Sequence, residues 1–400
     1  GLDQPIIRRH SSGRLLASDA LPTHRPARED VPVKYAQPNA SARAGAHRFD
    51  LSGLHPGDDG LWPRYPRPIS RRFAMAPEKA RFGLFVPQGW ILDLVDIEDP
   101  IEKYEAMTKV AQTAERLGFE SLWLFDHFHT YFKPVLETTF ECWTSLAGLA
   151  RDTSRIRLGQ MVTCNGYRNP ALLAKMASTV DVLSHGRLNL GLGGGWYEHE
   201  YVAYGYEYPP TPVRLQMLGE ALQVIRAMWT EPYATFHGQH YRIDGAINEP
   251  KPVQKPQPPI WVGGEGEQVT LKLAACYADA TNFGGHLDDM GWYKRKLDVI
   301  AKHCEALGRD PNELIRSTNV ETTLLRAGDS AEELTRTYRR DQTLAQYRSH
   351  AIVGGPQEVI DTYGRLIDAG MNYIVVSDLP GIAHLDVLEY LGSEVLPAFR

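Results

Sequence analysis

From Arg81 to Arg400 short apolar runs alternate with longer amphipathic ones, and no other feature of the sequence restricts its fold as much. Arg81–Val86 is expected as a strand, and Ile101–Leu117 as a helix closed by Gly118, a residue suited to a left-handed cap. Glu120–Phe125 with Thr138–Arg151, and Ile156–Val162 with Pro170–Leu183, repeat the pattern. Arg187–Leu192 opens a fourth unit, whose helix runs over Val213–Trp229 before a hairpin at Thr235–Tyr241 turning on His237 and Gly238. Pro259–Val262 precedes a helix over Gln268–Cys276. Asp279–Phe283, Thr318–Leu325 and Asn372–Ser377 bring the strands to eight, and Leu385–Leu396 closes the chain as a helix. Buried strands separated by helices pair in parallel. Eight such units predict an α/β fold, a (β/α)8 TIM barrel with insertion segments, as a catalytic domain over residues 79–400. In that architecture the chemistry sits at the C-terminal ends of the strands, which selects the residues to weigh.

Residues 1–78 have a different composition, rich in Pro, Arg, Ser and Asp. Leu61-Trp62-Pro63-Arg64-Tyr65-Pro66-Arg67-Pro68 cannot be regular helix, because each proline removes a donor and restrains its predecessor. Three readings stay open: a disordered tail, an extended arm on a neighbouring subunit, or sequence upstream of a natural start at Met75. Trp62, Tyr65 and Phe73 call for burial, which favours the arm. Ser70-Arg71-Arg72-Phe73 looks like a twin-arginine signal, but Glu78, Lys79 and Arg81 stand where an uncharged apolar segment is needed.

A net charge of −6 speaks against nucleic acid as a partner, though a local basic patch can still hold an acidic ligand. No apolar run approaches the roughly 18–20 residues that span a bilayer. Cys142, Cys164, Cys276 and Cys304 form no C-x-x-C pair and fit reduced thiols of a cytoplasmic protein.

The second strand ends Leu124-Phe125-Asp126-His127-Phe128-His129. Alternation turns His127 and His129 one way and Asp126 and Phe128 the other. A lone histidine there can be structural, but two beside an aspartate at the functional end favour chemistry. An H-x-H pair also suits a metal, which needs further His, Lys or Asp ligands at later strand ends. Those ends carry Gly193-Gly194-Gly195, Gly263-Gly264 and Asn282-Phe283, so no metal is expected. Each glycine run alone is as well explained by a tight turn. Together, with Gly263-Gly264-Glu265-Gly266 just before a helix, they favour a phosphorylated planar cofactor held by free amides. The pattern is not the dinucleotide G-x-G-x-x-G. Aromatics from Trp196 to Tyr206 read equally as a small core under a loop or as a wall over a ring.

From Arg81 onward the sequence resembles the luciferase-like monooxygenase superfamily, in particular its F420-dependent oxidoreductase branch. The resemblance is carried by Arg81-Phe82-Gly83-Leu84-Phe85-Val86-Pro87-Gln88-Gly89, Leu124-Phe125-Asp126-His127 and Tyr167-Arg168-Asn169-Pro170. Asp181-Val182-Leu183-Ser184-His185-Gly186-Arg187-Leu188, Gly193-Gly194-Gly195-Trp196-Tyr197-Glu198-His199-Glu200-Tyr201 and Pro259-Ile260-Trp261-Val262-Gly263-Gly264 continue it. It implies a homodimer or larger assembly, and a non-prolyl cis peptide near Met161-Val162. It also implies that Asp126 and His127 approach the ring, that Met161, Val162 and Thr163 line one ring face, and that Gly193–Gly195 and Gly263–Gly266 receive the ribityl and phosphate groups. One departure stands out: the sugar-phosphate dehydrogenases of the superfamily place an acidic glutamate after the fourth-strand glycines, where this chain has Trp196.

The reading is therefore an oxidoreductase using coenzyme F420 for hydride transfer to or from a small organic substrate, with His127 as general acid/base. Its rivals are a two-component monooxygenase using FMN, and a cofactor carrier without catalysis. A basic groove leading away from Gly263-Gly264 favours F420, whose tail is anionic; a closed site favours FMN.

Overall fold

The computed structural model describes residues 80–131 and 134–400. Expectations for residues 1–78 lie outside the described residues. The elements run β1 (Arg81–Phe85), α1 (Pro100–Arg116), β2 (Ser121–Leu124), α2 (Cys142–Asp152), β3 (Arg157–Gln160), β4 (Thr163–Cys164) and α3 (Pro170–Leu183). Next come β5 (Leu188–Gly193), α4 (Glu198–Ala203), α5 (Thr211–Thr230), β6 (Ala234–His237), β7 (Arg242–Ala246), β8 (Ile260–Gly263), α6 (Thr270–Tyr277) and β9 (Ala280–Phe283). Then follow α7 (Met290–Ala306), β10 (Ile315–Leu324), α8 (Ala331–Leu334), α9 (Arg336–Arg339) and α10 (Leu344–Tyr347). β11 (Ala351–Gly354), α11 (Pro356–Asp368), β12 (Tyr373–Ser377) and α12 (Asp386–Glu394) complete the order.

Parallel pairing passes through β1, β2, β3, β5, β8, β9, β10 and β12 and returns to β1, closing the expected barrel. Its strands are buried on both faces, which is why they read as continuous apolar runs. Leu84, Leu122, Leu158, Leu190 and Ile374 belong to the shell packed with the helices. Phe85, Trp123, Trp261, Tyr373 and Val375 form a separate cluster filling the barrel. Burying each of these large side chains contributes roughly 1.5–3 kcal/mol. Trp123 meets Trp261 edge to face at 4.7 Å, and a Cβ on Gly159 would come within 2.4 Å of the Trp123 ring. Glycine there makes room for the indole.

Most element ends shift by one to three residues, and three departures have a visible reason. α2 begins at Cys142 rather than Thr138, because Phe140 is held extended by reciprocal bonds with Gln88. The hairpin extends to Ala246, and Glu220 of α5 accepts the amides of Gln239, His240 and Tyr241 across its turn. β11 was not expected; it pairs with the second half of β10, which outruns its barrel neighbours. The Met161–Val162 peptide is cis, as the resemblance implies.

Candidate active site

His127 follows β2 at the C-terminal mouth. Its ring stacks on Trp90 at 4.3 Å and meets the edges of Trp196 and Tyr197, each at 5.9 Å. Nδ1 lies 2.7 Å from Oε2 of Glu200, a fully buried residue of α4. Glu200 also accepts from the Phe128 amide at 2.7 Å, the His129 amide at 3.3 Å and the Tyr167 hydroxyl at 2.9 Å. Burial pushes Glu200 up; the hydrogen bonds and charge of His127, with the donors of Phe128 and Tyr167, outweigh it and hold the carboxyl below its usual range. An ionised Glu200 can only accept, so Nδ1 of His127 carries the proton and Nε2 is left for other chemistry.

Asp126 faces the other way, as alternation requires. Its carboxylate takes a bidentate pair from Arg168 at 2.6 and 3.0 Å and the Cys164 amide at 2.9 Å. Both oxygens are thereby engaged, and Asp126 acts on the mouth through the backbone of β4 rather than by reaching outward. Asp126, Glu141 and Cys142 bring three potential metal-ligand atoms within 4.8 Å of one another. Arg168 is the cation there, since it also pairs with Glu141 at 2.6 Å.

The glycine runs end neighbouring strands. A Cβ on Gly193 or Gly263 would come within 2.6 or 2.8 Å of a Val162 methyl, so both strand ends stay bare beside Val162. Met161 is buried in the barrel cluster and Thr163 is buried in β4. Gly195 and Gly264 have φ of +76° and +129°, conformations that favour glycine. Gly194 lines a separate cavity of about 210 Å³ with Asn165, Tyr201 and Arg214. Beyond Gly266, whose carbonyl accepts the Leu271 amide, α6 begins. Glu265 accepts from the Gly284 amide at 3.0 Å and lies 3.3 Å from His286, while Lys296 pairs with Glu267 at 2.7 Å. At this rim the Lys296 ammonium is matched by Glu267 and the His286 ring lies beside Glu265.

His129 shares the side of His127 but bonds His199 at 3.1 Å and the Thr130 carbonyl at 3.1 Å. Within the aromatic segment, Tyr201 is buried against Cys164 and Tyr167, as the small-core reading expects, whereas Trp196 is 53% exposed. Glu200 escaped sequence reasoning, although it sits inside a quoted motif. Its role needs a contact across 73 positions, and an acidic residue on the inner face of a short helix was the available signal. A second cavity, of about 270 Å³, opens between Trp90, Phe125 and Tyr131 on one side and the ends of β10 and β12 on the other. Its Glu321 and Asp378 were also missed, although the strand-end rule points straight at Asp378.

Among curated proteins, an uncharacterised protein of Mycobacterium tuberculosis is 34% identical over 204 residues, covering 47% of this chain and 67% of that one. An F420-dependent glucose-6-phosphate dehydrogenase of Microbacterium testaceum is 26% identical over 311 residues, covering 72% of this chain and 91% of that one. A solved F420-dependent secondary alcohol dehydrogenase, in complex with an F420-acetone adduct, superposes with a TM-score of 0.69 at 22% identity. It covers 80% of this chain and 99% of its own, a likeness of fold. No described helix is long and apolar enough to cross a membrane. The sequence pattern of luciferase-like monooxygenases matches residues 81–370, and with the closed barrel it places this chain among the enzymes of the luciferase-like monooxygenase family.

Proposed function

We propose that the chain is an F420-dependent oxidoreductase that moves a hydride between the deazaflavin and a small organic substrate. The observation carrying this reading is His127, oriented by a buried carboxylate beside strand ends that carry no side chains. That donor set fits a flat ring. Val162 between Gly193 and Gly263 offers a low floor, with Met161 and Thr163 flanking it. Gly194, Gly195, Gly264, Glu265 and Gly266 provide backbone and a polar rim for the ribityl and phosphate parts, and Asp126 holds the supporting β4 backbone through the Cys164 amide. Relatives that use F420 support the same cofactor here.

F420, when bound, supplies the hydride-carrying ring carbon. His127 exchanges the accompanying proton at Nε2 as the substrate carbon gains or loses hydride. Glu200 is a positioning residue: it fixes the tautomer and stabilises the imidazolium. Trp90, Trp196 and Tyr197 crowd the imidazole and keep bulk water from it. A homodimer or larger assembly and a cytoplasmic setting complete the reading, the latter resting on four buried free cysteines.

A second reading, FMN in a two-component monooxygenase, is favoured by one observation: Glu265 and Glu267 put two carboxyls beside the glycines proposed for the phosphate, and these would repel an anionic tail. Fluorescence titration of the purified chain with F420 and with FMN separates the two. Saturable F420 binding is expected; tight FMN binding with none for F420 overturns the proposal.

A further inference from the structure

The cavity beside Trp90 has two unlike walls. Trp90, Phe125 and Tyr131 make one aromatic side, and Trp90 also stacks on His127. Glu321 from β10, Asp378 just after β12, Arg340 and His350 make the other. Glu321 Oε2 and Asp378 Oδ1 are shut off from solvent. The Tyr347 hydroxyl faces the Glu321 carboxyl as a donor, whereas Asp378 Oδ1 has no hydrogen-bond partner among the described residues. Asp378 holds a positive φ of 48°, uncommon for a residue with a side chain, so the backbone is bent where this carboxyl reaches the mouth.

Buried acceptors without partners are costly, and natural structures rarely keep them unless a ligand or ordered water completes them. The unpartnered Asp378 oxygen, with the buried Glu321 carboxyl lining the same cavity, therefore points to a ligand that donates hydrogen bonds. Charge narrows its class. Arg340 lies over the Tyr131 ring, 4.9 Å from its centroid, and is the one guanidinium among the described residues lining the cavity, against two carboxyls. His350 is 3.7 Å from Glu321, whose other oxygen it faces. An anionic ligand would meet the carboxyls head on, whereas an uncharged one can give each of them a hydroxyl hydrogen. The aromatic wall suits an apolar ring or chain face, and the volume suits a small molecule.

We infer that this cavity is the substrate site, and that it takes a small uncharged molecule whose hydroxyl groups bond Glu321 and Asp378 while its apolar face lies on Trp90 and Tyr131. Phosphorylated and carboxylated compounds are rejected by the same two residues. The site's role as substrate site rests on the oxidoreductase reading; its binding preference does not.

The test uses three six-membered-ring probes of similar size: trans-cyclohexane-1,2-diol, cyclohexanecarboxylate and cyclohexylamine. Each is titrated against the full chain, with and without F420, by ligand-observed NMR. The diol is expected to bind at least about tenfold more tightly than the carboxylate, corresponding to roughly 1.4 kcal/mol. The double substitution Glu321→Gln with Asp378→Asn is expected to weaken the diol about tenfold and to narrow or reverse its lead over the carboxylate. Carboxylate binding equal to the diol, an amine that binds more tightly than the diol, no binding of the diol, or a diol affinity untouched by the double substitution each overturns the inference. The probe ranking in the unmodified chain needs no variant to fold. F420 affinity, read in the same samples, reports separately: losing it removes the oxidoreductase reading while the ranking still tests the cavity.

Discussion

Glu200 and Asp378 are carboxyl groups a short way apart in function and opposite in circumstance. Glu200 is completely buried and receives His127, Tyr167 and two backbone amides. Asp378 keeps one oxygen shut from water with nothing to accept from. Burial acts on both, yet hydrogen bonds and the His127 charge hold Glu200 below the usual carboxylate range. Burial, with Glu321 and Asp93 beside it, drives Asp378 well above that range against the opposing pull of Arg340. A buried carboxylate surrounded by donors orients its neighbours; one lacking them is arranged for something outside the chain.

The sharpest way to break the satisfied side is Arg168→Ala, which strands Asp126 and Glu141 without their cation. Unfolding by urea is expected to show a loss of about 3–5 kcal/mol, the usual cost of leaving a buried charge unpaired. Glu200→Gln comes next. It should cost about 1–3 kcal/mol and slow hydride exchange with F420 roughly ten- to a hundredfold, while F420 affinity changes little. Glu200 stabilises the fold above its ordinary pKa of 4.5, and that contribution fades as pH falls through its lower folded value. The gap between wild type and Glu200→Gln should therefore close in acid.

Asp378→Asn tests the other side with the opposite sign. Replacing a carboxyl whose ionised form has no partner should leave stability unchanged or raise it by up to about 1 kcal/mol. Its raised pKa makes the acidic form the better folded one, so the advantage of Asp378→Asn should grow as pH rises. Asp93 reinforces that trend: burial, opposed by the amides of Gly89 and Gln88, pushes it up to about 6 from 3.8. Its stabilising contribution is complete below pH 3.8 and is lost as pH climbs through about 6, readable in thermal melts across that window. The smallest effect is reserved for His129→Ala, which gives up bonds to His199 and a neighbouring carbonyl; about 1 kcal/mol or less is expected, with F420 binding unchanged.

The barrel was legible because its evidence is local. Eight apolar runs bounded by turns and helices carry their own periodicity, and Pro170–Leu183 even begins and ends where Asn169 and Ser184 flank it. β11 was not legible, since among the described residues Ala351–Gly354 pairs only with an over-long strand. His127 could be singled out by position. Glu200 could not, because a carboxylate backing a histidine is a tertiary contact with no sequence period. Asp126 illustrates the converse: alternation turned it away from His127, and its partner Arg168, 42 positions on, has no signal in the local sequence. The glycines were recognised as bare backbone, but the partner that requires them at 193 and 263 within the chain is Val162.

Catalysis as proposed requires that His127 present Nε2 to the cofactor with its proton held at Nδ1 by Glu200. Nitrogen-15 NMR of histidine-labelled protein, recorded before and after saturation with F420, reads this directly. A His127 whose Nδ1 carries its proton, with an Nε2 resonance that moves when F420 binds and a proton position lost in Glu200→Gln, is the predicted result. An Nε2-protonated His127, or one whose resonances stay still in the F420-saturated protein, would contradict it.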